Sequence, residues 1–374
     1  MPIRGIHPGQ GDPIEIAVQG GRIQSIMPAT GPMDVFVSPG WIDLQVNGFA
    51  GVDYNDPNSP PDEIARSIEV QRSTGVTRLY PTVITGSHDD MANSLRNLAR
   101  ARRQLANGRS MLGFHVEGPW ISPLDGPRGA HPKTHVRAPS IEEFRRLQAA
   151  ADGGIRLLTL SPEYDETPEV IEHVVSEGVV VSIGHTAATA SQIEAAVAAG
   201  ATMSTHLGNG AHSNVPRHDN YIVHQLVDDR LYAGLIVDGI HLPPTFARLA
   251  LRAKGQRLSI LVTDAVAPAH CEPGIYKLGE QEVELSSDYR VQLRSSGRLA
   301  GSALSMDRGI ENTMRFDGYS AYAATQLATS NPAAAMGLRD RSGYLDLDQV
   351  ADFTLFRIND EGGVTVEETV VSEC

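Results

Sequence analysis

Gly184-His-Thr-Ala-Ala-Thr189 and Thr205-His-Leu-Gly-Asn-Gly-Ala-His212 bracket the stretch on which the fold turns. Between them an Ala-rich run, Thr189 to Ala199, reads as a helix. Ser191 followed by Glu194 fits a capping box, and Ile193, Ala196 and Val197 supply an apolar stripe. Before the helix, Gly178-Val-Val-Val-Ser-Ile183 is a β-branched run; after it, Ala201-Thr-Met-Ser-Thr205 is another. Strand, helix and strand make a βαβ unit in which each strand runs into a histidine. Equivalent ends of neighbouring parallel strands lie about 5 Å apart, so His185 and His206 can converge on one point. Two imidazoles so placed suit one metal ion. Taken alone, the stretch also fits two ordinary histidines capping buried strands.

Outward from this unit the alternation continues. Trp41-Ile-Asp-Leu-Gln-Val46, Val76 to Tyr80, Met111 to Val116 and Ile155 to Leu160 read as strands upstream; Leu231 to Val237 and Leu258 to Thr263 follow downstream. Helical segments start at Asn58 and His88, then run from Ile141 to Ala151 and Pro244 to Lys254. Near-continuous apolar strands between helices indicate a parallel sheet covered on both faces. Eight strands point to an α/β fold of the (β/α)8 TIM-like kind, with an open doubly wound sheet as the competitor. Val266 to Gly301 breaks the alternation with a β excursion near 270–300, after which Met306 to Phe316 and Ala321 to Met336 are expected helices.

The two ends differ from the middle. Ile14-Glu-Ile-Ala-Val18 and Ile23-Gln-Ser-Ile26 flank Gly20-Gly21 as a hairpin, and nothing before residue 38 is helical. Asp352 to Phe356 and Gly363 to Glu367 are strands expected to pair with that first segment. The division predicted is a small β domain from 1–38 plus 346–374, and a barrel from 39–345.

Composition narrows the function. The 374 residues carry 31 Lys and Arg against 45 Asp and Glu, a net charge of −14 that disfavours nucleic acid and anionic membranes as partners. A mean hydropathy of −0.19 and the absence of any long apolar run describe a chain without a membrane span. Met1-Pro-Ile-Arg-Gly lacks a signal-peptide pattern, and Cys271 and Cys374 are too few for a disulfide framework. Cytoplasm is the expected address. A small-molecule substrate remains.

Further polar residues stand at strand ends. His115-Val-Glu117 closes the third strand, and a carboxylate there completes a set of two histidines and one carboxylate for a divalent metal. Val262-Thr-Asp264 closes the eighth. Asp264 would face the metal across the barrel mouth, placed to take a proton from water and pass it to a leaving group, although an Asp after a strand is also a common helix cap.

These motifs together resemble the amidohydrolase superfamily, and within it the N-acetylglucosamine-6-phosphate deacetylases. The resemblance runs nearly end to end: Pro39-Gly-Trp-Ile-Asp-Leu-Gln-Val-Asn-Gly, His115-Val-Glu-Gly-Pro-Trp, Gly184-His-Thr, Thr205-His-Leu-Gly-Asn-Gly, Asp238-Gly-Ile-His and Val262-Thr-Asp-Ala-Val-Ala-Pro. It implies a distorted TIM barrel of the amidohydrolase type, with a β-sandwich built from both termini. It also implies metal-dependent hydrolysis of the acetamide of an amino sugar. By the same resemblance Glu117, His185 and His206 match the metal ligands and Asp264 the general base and acid. His131 matches a histidine that polarises the substrate amide, and His241 one that contacts the substrate. Asn209 and Gly210 match a loop that meets the sugar phosphate. Arg217 falls where the family has an arginine reaching into the neighbouring subunit's site, which implies a homodimer.

Departures carry information too. Where the wider superfamily has His-x-His for two metals, this chain has Gln45-Val-Asn47, and its fourth strand offers no bridging lysine. Both absences favour one divalent ion per subunit, zinc before iron. Within the deacetylases an aromatic usually follows His-Leu, and here Gly208 stands instead. Loss of that wall would admit a different or larger substituent, so other N-acyl substrates stay open, as does a non-catalytic relative. His212 and His218 either join Arg217 as an anion site or are exposed polar residues.

Overall fold

The computed structural model describes residues 2–278, 281–338 and 342–372. Its centre is a sheet of eight strands in consecutive order: Trp41–Val46, Val76–Ile84, Phe114–Glu117, Ile155–Leu160, Val180–Ile183, Met203–Ser204, Tyr232–Leu235 and Ser259–Leu261. All neighbouring pairs are parallel. Every residue of the first and third strands is buried, as strands covered on both faces require.

The seam between the first and last strands decides between barrel and open sheet. Asp264 N–H donates to the Gln45 carbonyl at 2.8 Å, and Asn47 N–H to that of Ala265 at 2.7 Å, so the upper rim closes directly. Lower down the strands part. There Leu261 N–H donates to Leu327 O at 2.8 Å and Ile42 N–H to Ala328 O at 2.7 Å. The fold is the expected barrel.

That wedge corrects the single helix expected from Ala321 to Met336. The segment forms two helices, Ala321–Gln326 and Ser330–Ala335, and the residues between them supply the carbonyls that plug the seam. A second correction concerns the helix Ala190–Ala198, whose capping box is made by Thr189 and Gln192 rather than Ser191 and Glu194. Thr189 has extended backbone, which lets its hydroxyl reach the Gln192 N–H. Ser191 already lies inside the first turn, and Glu194 pairs with Arg230.

Both ends of the chain meet in one sheet of six strands: Val364–Val370, Phe353–Ile358, Phe36–Pro39, Ile3–Ile6, Pro13–Gln19 and Arg22–Pro28. The last two form the expected hairpin, with Gly20 at φ 57° and Gly21 at φ 72°. Two successive positive φ values are what a tight hairpin turn needs and what glycine supplies cheaply. Ile14, Ile16, Ile23, Val37 and Phe353 give this sheet its own buried cluster. Arg78 of the barrel ties it down through a buried pair with Asp352 at 2.6 Å.

The excursion is a three-stranded antiparallel sheet, Gly274–Leu278, Gln281–Leu285 and Val291–Leu293, beside the barrel mouth. No helix among the described residues is long and apolar enough to cross a membrane. Cys271 is a free thiol, and Cys374 lies outside the described residues.

Candidate active site

The barrel strands deliver their chemistry at their C-terminal ends, through a shared backbone device. His185, His206 and Asp264 have φ of 48°, 28° and 49°. Left-handed backbone at a non-glycine residue costs on the order of 1–3 kcal/mol and persists only where the surroundings enforce it. Each of the three follows a strand and stops the chain from extending further.

Glu117, His185 and His206 come together, all buried. Glu117 Oε1 lies 3.1 Å from His185 Nε2 and 2.9 Å from His206 Nε2, and the two imidazole nitrogens are 3.0 Å apart. His185 Nδ1 faces the Pro127 carbonyl at 2.9 Å. A carbonyl only accepts, so the ring proton sits on Nδ1 and Nε2 presents a lone pair. Two or three acceptors therefore point at one another across about one hydrogen-bond length, with at most the His206 proton between them. His206 Nδ1 is buried without a partner among the described residues. Oxygen and two imidazole nitrogens in this arrangement fit a divalent cation. Gln45 donates to the same Glu117 oxygen at 3.0 Å from the position where the wider superfamily has its first histidine.

Burial opposes charge on Glu117, but the neighbouring His185 and His206 outweigh it and hold the carboxyl well below its ordinary range. Asp264 goes the other way. Burial first, and then the charge of Glu117, push it up to about 6, against the pull of His206, His241 and Asn47. A cation held by the triad adds a further downward pull on Asp264. Asn47 Nδ2 donates to Asp264 Oδ1 at 2.7 Å and so fixes the carboxylate's orientation.

The expected substrate residues divide into two groups. His131, His241, Asn209 and Gly210 line the same cavity of about 1220 Å3 as the triad and Asp264. The His131 ring meets His185 edge-on at 4.3 Å, and burial followed by the nearby His185 lowers its pKa to about 3, which keeps it neutral. His241 Nδ1 lies 2.6 Å from Asp238 Oδ2, while Asp238 Oδ1 accepts the backbone N–H of Ile240 and of His241 itself. Asn209 closes a tight turn on the His206 carbonyl. Gly210, at φ 55°, packs against His185 so closely that a Cβ there would stand 2.7 Å from Nδ1. Arg217, in contrast, is exposed on the loop that follows and does not line the cavity of its own chain. His212 is engaged with Tyr221 at 3.0 Å, and His218 is exposed.

The missing wall at Gly208 is corrected by the structure. The residue has φ 98°, and a Cβ there would meet the Phe246 ring at 2.7 Å and Leu242 at 3.0 Å. Phe246, from the helix Pro244–Leu258, occupies the space a side chain at 208 would enter.

Residues 36–372 match the model of the amidohydrolase family. The chain belongs to that family. It is 34% identical to the N-acetylglucosamine-6-phosphate deacetylase of Bacillus subtilis (strain 168) over 327 residues, 87% of this chain and 81% of the relative. It is 32% identical to the N-acetylgalactosamine-6-phosphate deacetylase of Escherichia coli O157:H7, covering 82% of this chain and 80% of that protein. Among solved structures, an aspartate-to-alanine mutant of the Mycobacterium smegmatis N-acetyl-D-glucosamine-6-phosphate deacetylase in complex with N-acetyl-D-glucosamine-6-phosphate superposes with a TM-score of 0.86. That match has 29% identity over 96% of this chain and 95% of the other.

In this amidohydrolase, Asn47, Thr85 and Asp238 hold the groups that sequence reading singled out. Asn47 had a signal, since it occupies the second histidine position of the lost His-x-His pair. Thr85 had none, because a threonine after an apolar strand looks like any strand end.

Proposed function

We propose that this chain hydrolyses the acetamide of N-acetylglucosamine 6-phosphate, or of its galacto epimer, to the free amine and acetate. The single observation that carries this reading is the convergence of Glu117, His185, His206 and Asp264 at one barrel mouth. The likeness to deacetylases of both epimers supports the substrate class. Glu117, His185 and His206 would hold one divalent ion, zinc first by its preference for this donor set. When bound, such an ion polarises a carbonyl oxygen and acidifies water.

The chain's own residues then divide the work. Asp264, oriented by Asn47, takes a proton from water as the water oxygen adds to the acyl carbon. It returns that proton to the amide nitrogen as the carbon–nitrogen bond breaks, so one carboxylate serves both steps. His131 faces the acyl oxygen as a neutral donor, and Asp238 presents His241 to the sugar. Asn209 and Gly210 sit where a 6-phosphate would approach their turn.

The same reading extends to assembly. Arg217 is exposed and does not line its own chain's cavity, which fits service to a second copy's site in a homodimer. Residues 39–345 form the proposed catalytic unit, with 1–38 and 346–374 as its β partner, and the cytoplasm as its address.

The test is acetate release from N-acetylglucosamine 6-phosphate, N-acetylgalactosamine 6-phosphate and their unphosphorylated forms, with zinc present. Release from a phosphorylated sugar well above its unphosphorylated form is expected. Release from neither phosphorylated sugar would overturn the substrate assignment.

A further inference from the structure

Five histidines line the cavity, and for three the partner of Nδ1 is informative. His185 faces the Pro127 carbonyl and His241 faces the Asp238 carboxylate, both pure acceptors. Those two rings keep a proton on Nδ1. His131 differs: its Nδ1 lies 2.7 Å from the Thr85 hydroxyl, a group able to donate.

We infer that Thr85 fixes the tautomer of His131, its hydroxyl donating to Nδ1 so that Nε2 carries the ring proton for the substrate. Thr85 follows the strand Val76–Ile84 and is buried. That hydroxyl has one proton and two neighbours. His131 Nδ1 is at 2.7 Å, whereas the Glu117 carbonyl is at 3.4 Å, near the limit of a hydrogen bond. The opposite tautomer would turn the proton onto this long contact. It would also aim a nitrogen lone pair at the acyl oxygen.

The surroundings keep the pair in register. Gly118, at φ 79°, lets the hydroxyl in, since a Cβ there would stand 2.2 Å from Thr85 Oγ1. The His131 backbone is clamped to Arg128 from both sides: its N–H donates to the Arg128 carbonyl, and Arg128 Nη1 donates to the His131 carbonyl at 2.6 Å. Thr85 is thus a positioning residue, acting on substrate only through His131. The donor role of Nε2 rests on the acetamide reading proposed above; the tautomer itself does not.

Two measurements test the inference on the zinc-loaded enzyme. Nitrogen-15 NMR of the His131 ring should find Nε2 protonated and Nδ1 bare; protonation at Nδ1, alone or with Nε2, would overturn it. Thr85→Val removes the hydroxyl at nearly constant shape, and should lower kcat about tenfold to a hundredfold with KM within about twofold and zinc content unchanged. Thr85→Ser should restore kcat to within about threefold of the parent. Full turnover in Thr85→Val, or loss of zinc together with turnover, would overturn the positioning role. If the unmutated enzyme released no acetate while Nε2 was protonated, the acetamide reading would fail and the tautomer assignment would stand.

Discussion

Gly210→Ala offers a sharp perturbation of the proposed metal site without replacing a ligand. At Gly210 a Cβ would stand 2.7 Å from His185 Nδ1 and 3.0 Å from Cε1, where ordinary contacts begin at 3.4 Å. The overlap with Nδ1 is therefore 0.7 Å, from 3.4 − 2.7. His185 has little room to yield, because that Nδ1 donates to Pro127 at 2.9 Å and the ring also meets His131 edge-on. Relief requires the ring to turn and lengthen the Pro127 bond, which moves Nε2 away from Glu117 and His206. Losing such an outer partner of a ligating histidine typically lowers metal affinity by about 10–100-fold. The backbone adds its own cost, about 1–2 kcal/mol for alanine at φ 55°. Gly153→Ala separates the two terms, because Gly153 has φ 69° and nothing within 4 Å of its Cβ position. Chelator competition with zinc should show affinity lost in Gly210→Ala and retained in Gly153→Ala, with both destabilised in thermal unfolding. Parental zinc affinity in Gly210→Ala would refute the role assigned to His185 and its packing.

Four other outcomes are expected. Asp264→Asn should bind zinc normally but lose turnover by about 10²–10⁴, since the amide cannot accept a proton; near-normal turnover would assign the base elsewhere. His206→Asn should lose zinc and activity together in elemental analysis and acetate assay. Arg217→Ala should raise KM strongly for the phosphorylated sugar and little for the unphosphorylated one, because a guanidinium pairs with phosphate through charge-assisted bonds. Asp43 carries a pH dependence: burial pushes it up to about 7 despite hydrogen bonds from Thr263 and Gln45. The folded state then holds this proton more tightly than the unfolded chain, so its stabilisation is complete below the ordinary carboxylate pKa and is lost as pH rises through about 7. Urea unfolding should show that decline in the parent and a flatter profile in Asp43→Asn.

The barrel was legible because its strands are buried on both faces and so read as apolar runs, each punctuated by a polar residue. The triad was legible for the same reason, since His185, His206 and Glu117 stand at fixed offsets from those runs. What escaped was set by backbone geometry or by contacts distant in sequence. Thr189 and Ser191 are equally good caps by residue type, and only the backbone turn picks Thr189. The break after Gln326 answers to the Ile42 and Leu261 amides, which lie far away in sequence. Gly208 looked like an absent wall because Phe246, which fills it, comes from another helix.

The most direct measurement of the proposed chemistry is hydrolysis of N-acetylglucosamine 6-phosphate in oxygen-18-labelled water by the zinc-loaded enzyme. Acetate carrying a single labelled oxygen, together with stoichiometric free amine and no release by Asp264→Asn on the same timescale, is the expected result. Unlabelled acetate, or undiminished release by Asp264→Asn, would contradict water attack on the acyl carbon assisted by Asp264.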